Sequence, residues 1–202
     1  MAALTRGDVV DAARDLLRAE GLGAVTVRRL QRELGVTAPS IYWRFADKGA
    51  LLGALADAVL REEFGDEPLV PEQPWAPWYR EVLVRLRRAM LAYPDGARLV
   101  TGARLDHAPT VAQLSEAALA GALAEGRDLR SSSLLVYTAL HFTYGHVIEE
   151  QEPPALSADE LAAALAPYPS IRRAVAQQHT EGFDADDGFV ASLDLILRDT
   201  ST

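Results

Sequence analysis

Residues 26–52 read TVRRLQRELGVTAPSIYWRFADKGALL, and this stretch decides the fold. Two short helical patterns flank a turn centred on Gly35, and the second opens at Thr37 with Pro39 in its first turn. Thr is favoured just before an apolar-periodic segment, and Pro is tolerated where the backbone N–H has no intrahelical partner. The second helix is very short, carrying Ser40, Tyr42, Trp43 and Arg44 before Ala46-Asp47 breaks it. It has few apolar positions of its own, so its neighbours must prop it. A short helix propped with its polar and aromatic residues outward is how a helix-turn-helix enters the major groove.

The flanking segments supply the props. Leu4, Val9, Ala12, Ala13, Leu16 and Leu17 recur at helical spacing, with Asp8, Asp11, Arg14, Asp15 and Arg18 on the other face. Gly21-Leu22-Gly23 ends that helix, because glycine readily takes the positive φ of a helix C-terminus. Thr26 caps a helix whose Val27, Leu30 and Leu34 face inward, leaving Arg28, Arg29 and Arg32 exposed. Val36 and Ile41 complete a small core, and Asp47 caps a further helix running from about Lys48 past Leu60. The expectation is a three-helix head fused to a longer helix.

Charge divides along the same line. The chain of 202 residues carries a net charge of −9, which looks wrong for a nucleic-acid binder until it is split. Residues 1–61 hold nine Arg/Lys against seven Asp/Glu, a balance of +2, and residues 62–202 hold eleven against twenty-two, a balance of −11. Arg28, Arg29, Arg32, Arg44 and Lys48 face only Glu33 and Asp47 within 28–48, so positive charge gathers on the reading face. There is no cysteine, no signal peptide and no apolar run long enough to span a bilayer. The expectation is a soluble, cytoplasmic protein without disulfides or membrane association.

VT-VRRLQRELGV-TAPSIYWRFADKGALL resembles the DNA-binding domain of TetR-type bacterial transcriptional repressors over residues 4–62, and the run Tyr42-Trp43, Lys48, Leu51-Leu52 is specific to it. The resemblance implies an all-α homodimer. Residues 1–64 would form the helix-turn-helix domain with its connecting helix, and residues 65–202 a helical body that dimerises and binds a small-molecule inducer. It also assigns roles on a double-stranded DNA operator. Thr26 and Thr37 cap the two helices of the motif. Arg28 would fork onto a guanine edge, the alternatives being a phosphate contact or a surface ion pair. Ala38, Pro39 and Ser40 open the recognition helix, where base contacts concentrate, and the first two offer only apolar contact. The resembling repressors often carry a longer amide at position 38, so a different operator is expected. Tyr42 and Lys48 are expected to anchor phosphates. Arg44 reaches a base or a phosphate, and Trp43 divides between DNA and packing on the first helix.

Beyond the Pro- and acid-rich break GDEPLVPEQP at 65–74, the sequence reads as helices near 75–93, 97–104, 109–124, 129–150, 157–165, 170–180 and 186–198. No strand pattern or internal repeat occurs. The segments 129–150 and 186–198 are largely apolar, with Leu134, Leu135, Leu140 and Val147 in one and Phe189, Leu193, Ile196 and Leu197 in the other. They are expected to pair across a two-fold axis, the rival being burial within one subunit. YPDGARLVTGARL, LHFTYGHVIEEQE and FDADDGFVASLDLIL are similar to segments of the tetracycline repressors. The pocket expected inside is lined by Phe64, Trp78, Val82, Leu86, Val100, Leu114, Tyr137, Thr138, His141 and Phe142, with Arg104 beside His107 in a loop at the pocket mouth or on the dimer surface. Departures fall where the drug would be held: Val100 and Phe64 stand where those repressors place histidines, and Val82 where they place an asparagine. Glu149 matches their acidic residue near magnesium, but one carboxylate cannot make that site. The inducer is therefore expected to be more apolar than tetracycline–magnesium, an aromatic or polyketide-like molecule, and no cofactor is expected.

Other chemistry finds less support. His146 lies three and four residues from Glu149 and Glu150, a spacing that serves a metal or an ion pair, and the ion pair is the expectation. His141 either hydrogen-bonds a ligand or is a satisfied core histidine. No Gly-x-Ser-x-Gly elbow and no phosphate-binding Gly loop occurs, which argues against an enzyme. A ligand-independent DNA binder with a filled body is the remaining alternative.

Overall fold

The computed structural model describes residues 4–152, 156–180 and 184–198, and all its regular elements there are helical. The first compact unit ends at Gln151 and the second begins at Glu152.

Within the first unit α1 (Arg6–Glu20) opens on a capping box: Thr5 Oγ1 accepts from Asp8 N–H, and the Asp8 carboxylate accepts from Thr5 N–H. Helix α2 (Val27–Leu34) starts at Thr26, whose hydroxyl accepts from Arg29 N–H at 3.2 Å. It ends at Gly35, held left-handed at φ 64° and ψ 32°. The recognition helix α3 (Ala38–Tyr42) is a bare turn and a half. Thr37 occupies its N-cap position but not as expected. Its hydroxyl makes no bond to the helix backbone and instead lies 3.0 Å from Ser40 Oγ. Helix α4 (Lys48–Phe64) begins at Asp47, which accepts from Ala50 N–H at 2.7 Å.

The stretch 65–74 is the helix-free link to α5 (Trp75–Leu91). A short α6 (Gly96–Thr101), then α7 (Pro109–Ala124) and α8 (Leu129–Gln151), complete this unit. Helix α4 packs against α1 and also against α5, α6 and α7, so it joins the head to the body. Three buried ties hold the body together. Trp75 Nε1–H donates to Ala118 O at 2.8 Å, Tyr79 O–H donates to Val136 O at 2.9 Å, and the two rings stack 5.2 Å apart. Arg87 on α5 forks onto Glu150 of α8 at 2.8 and 2.6 Å. His146 Nε2 lies 4.0 Å from the same Glu150 carboxylate.

Head and body also meet through polar groups. Tyr93 O–H donates to Glu62 at 2.6 Å and accepts from Arg18, while Asp95 accepts from Leu22 N–H at 2.9 Å. Asp57, buried on α4, accepts from Thr110 N–H in the first turn of α7. In the second unit, α9 (Ala158–Ala164), α10 (Pro169–Thr180) and α11 (Ala185–Leu197) follow, with Phe189, Leu193 and Leu197 buried. Pro153 and Pro154, expected in a loop, lie outside the described residues.

Candidate nucleic-acid interface

The recognition helix is anchored by two residues and exposes the rest. Ile41 and Phe45, one turn apart, are 1% and 2% exposed, and with Leu30 they fix α3 on the head. Around them Arg28, Thr37, Pro39, Tyr42, Arg44 and Lys48 are exposed, and Thr26, Ala38 and Ser40 are half-buried. Trp43 is 86% exposed, so its packing role against the first helix is absent and the ring faces outward whole. The reason is local: Ile41 and Phe45 already occupy the inward positions of this turn, and Trp43 falls between them. Phe45 is the anchor that the motif does not advertise, although its spacing of four from Ile41 marks it as the second inward position.

The cations of this face differ in their availability. Arg29 is taken up, donating to Glu20 at 2.6 Å and to Glu33 at 2.8 Å. Arg28, Arg32, Arg44 and Lys48 have no carboxylate within ion-pair distance among the described residues. Free guanidinium and ammonium groups around an exposed short helix suit phosphate and base-edge contacts.

The residues expected to line the effector pocket fall into two groups. Phe64, Val82, Leu86, Val100 and Leu114 are buried, and Trp78 and Phe142 are half-buried. A cavity of about 390 Å³ opens beside Trp78 and Val82, lined also by Pro74, Pro77, Glu81 and Arg85. Arg85 is committed elsewhere: its guanidinium lies 4.6 Å from the centre of the Phe64 ring and donates to Glu63. Tyr137, Thr138 and His141, by contrast, are exposed on α8 together with Leu134 and Gly145. They recur at helical spacing on the side opposite the buried Val136, Ala139, Leu140, Thr143 and Val147. Tyr137 and His141 stack on each other there at 6.1 Å. Arg104 is exposed and paired with Asp106 at 2.7 Å.

Comparison with known proteins places this arrangement. Residues 9–55 match the model for bacterial regulatory proteins of the tetR family, and residues 67–199 match the tetracyclin repressor-like C-terminal domain. The chain belongs to the TetR family. The class D tetracycline repressor protein of Escherichia coli is 33% identical over 198 residues, which cover 98% of this chain and 89% of that one. The TetR-family protein ActR of Streptomyces coelicolor, solved in complex with (S)-DNPA, superposes with a TM-score of 0.80 at 28% identity, covering 98% and 96% of the two chains. BioQ, solved with its double-stranded DNA operator, gives a TM-score of 0.65 at 30% identity over 93% and 99%. TetR-family repressors bind operator DNA and are released by ligands, and this chain is a ligand-responsive transcriptional regulator of that kind. Its relatives are regulators, not enzymes. No described helix is long and apolar enough to cross a membrane.

Proposed function

We propose that the protein works as a homodimer, each head (residues 1–64) reading half of a palindromic operator and each body (residues 65–202) holding a small inducer whose binding releases the DNA. The observation that carries the operator reading is the exposed Pro39 and Tyr42 of α3 surrounded by the free cations Arg28 of α2, Arg44 just after α3 and Lys48 at the start of α4. Arg28 and Arg44 would supply base or phosphate contacts, Ala38 and Pro39 apolar contact to thymine methyls, and Tyr42 and Lys48 phosphate anchors. Trp43, turned fully outward, joins the DNA-contacting set.

The inducer site is assigned to the cavity lined by Trp78 and Val82, with the buried or half-buried apolar residues Phe64, Leu86, Val100, Leu114 and Phe142 as the further residues proposed to take up the ligand. Val100 and Phe64 remove the imidazoles that a tetracycline–magnesium ligand would use, so the ligand is a largely apolar molecule other than tetracycline–magnesium, with a polar edge toward Glu81. Tyr137, Thr138 and His141, exposed beside Leu134, are assigned to the face that meets the second subunit.

Selection of sites from random duplex DNA by the purified protein tests this. The expected product is a palindrome with half-site centres about one helical turn or slightly more apart. That duplex then serves to screen apolar and aromatic compounds for release. Recovery of only weak, sequence-indifferent, salt-sensitive binding would overturn the operator reading.

A further inference from the structure

Nine cations occupy residues 1–61, and their partners sort them. Arg14 pairs with Asp11 at 2.8 Å and Glu62 at 3.1 Å, and Arg18 lies 3.8 Å from Glu62. Arg29 is held by Glu20 and Glu33, and Arg61 by Asp57 and Asp66. The other five, Arg6, Arg28, Arg32, Arg44 and Lys48, have no carboxylate within ion-pair distance among the described residues. Three of these five are already assigned to DNA. Arg6 and Arg32 are not.

Both are placed to extend the same surface. Arg32 is exposed on α2, four residues after Arg28, a spacing that puts the two on one helix face. Arg6 lies far away in sequence, as the first residue of α1, yet its guanidinium carbon is 4.7 Å from the centre of the Phe45 ring. Phe45 is buried, its N–H donates to Ile41 O of α3, and it sits between Arg44 and Lys48. The first helix therefore delivers an unpaired cation to the segment that carries two others. The α1 dipole opposes a cation at this position, where the acidic Asp8 is the favourable choice. An arginine held over an aromatic face keeps its N–H edge free for a phosphate, and it lies off the recognition helix, away from base edges.

We propose that Arg6 and Arg32 bind operator phosphates, so that the phosphate-binding face of each head runs from the helix-turn-helix to the start of α1. The inference rests on operator binding. Such contacts strengthen binding to any duplex, set register rather than sequence, and add to its salt dependence.

The test uses the full-length protein, its selected operator and a scrambled duplex of equal length, with dissociation constants measured from 50 to 200 mM salt. Each of R6Q and R32Q should reduce the slope of log affinity against log salt by about 0.9 for every phosphate that is no longer neutralised. The affinity deficit against wild type should then narrow about 3.5-fold across that salt range, and equally on the scrambled duplex. R6K should restore the slope, and R29Q, which removes a cation already paired within the head, should leave it unchanged. If R6Q loses helical signal, R6M, which keeps an apolar stem over Phe45, carries the same measurement. Wild-type slopes in R6Q and R32Q, with operator preference intact, would overturn the proposal alone. A wild-type protein that does not prefer its operator to the scrambled duplex would overturn operator reading itself.

Discussion

Arg87 ties two helices of the body through a largely buried ion pair. Its side chain is 8% exposed, and Glu150 provides it with two short bonds across α5 and α8. Removing one member of a buried pair leaves the other charge desolvated without its main partner. E150A is therefore expected to cost about 3 kcal/mol, read by chemical unfolding at fixed protein concentration, and a loss below about 0.5 kcal/mol, the usual scatter of surface substitutions, would refute the role. Glu63 supplies a pH dependence. Hydrogen bonding from Arg88, then from Arg85, holds its carboxyl below the ordinary carboxylate value. A depressed folded-state value gives stability that is present above the unfolded-state value, near 4.5, and lost as pH falls through the lower folded-state one. E63Q should be less stable at neutral pH and lose less stability on acidification, measured by unfolding between pH 7 and pH 3; parallel acid profiles would sink the assignment. Neither of these ion pairs is legible in the sequence. Arg87 and Glu150 lie 63 residues apart, and only the packing of α5 on α8 brings them together.

Elements are more legible than contacts, for a physical reason. Caps and breaks are local chemistry: Thr26, Gly35, Asp47 and the Pro-rich 65–74 link end or begin helices where their side chains and φ preferences require. Thr37 departs because Ser40 lies within reach of its hydroxyl, a side-chain choice that propensity does not contain. The faces of α8 are harder to read, since a 23-residue helix apolar on several sides has no single inward stripe in its sequence. That is why Tyr137 and His141 read as pocket residues and yet are exposed. The approach of α4 to the loop before α7 is also invisible in the sequence. A Cβ on Gly53 would lie 2.4 Å from the Cβ of His107 and 3.3 Å from its backbone. G53A should therefore cost about 1–3 kcal/mol through overpacking, and H107G in the same chain should recover most of it, because the nearest clash is with the His107 Cβ. A double-mutant cycle in thermal or chemical unfolding checks the coupling; additive losses would mean that α4 and this loop do not press on each other.

For the proposed homodimer, the decisive matter is how two heads are held at one spacing. One head exposes a recognition helix of five residues and reads few base pairs, so affinity for an operator depends on linking two. The free face of α8 offers the link: Leu134 is 62% exposed and Tyr137 40%, with His141 and Gly145 continuing the same stripe. A two-fold interface sets like residues near one another, so a single substitution acts twice. L134E leaves the isolated subunit nearly untouched, because the side chain is already in solvent, and places a charge on each side of the expected interface. Sedimentation of the variant should shift from dimer toward monomer at concentrations where wild type remains dimeric. Operator affinity should fall at least about 100-fold, the lower range of the gain that linkage provides, while binding to a scrambled duplex changes far less. An L134E protein that stays dimeric with its operator affinity intact would mean that the exposed stripe of α8 is not what joins the subunits. The spacing of the heads, and any ligand control over it, would then have to reside elsewhere in the body.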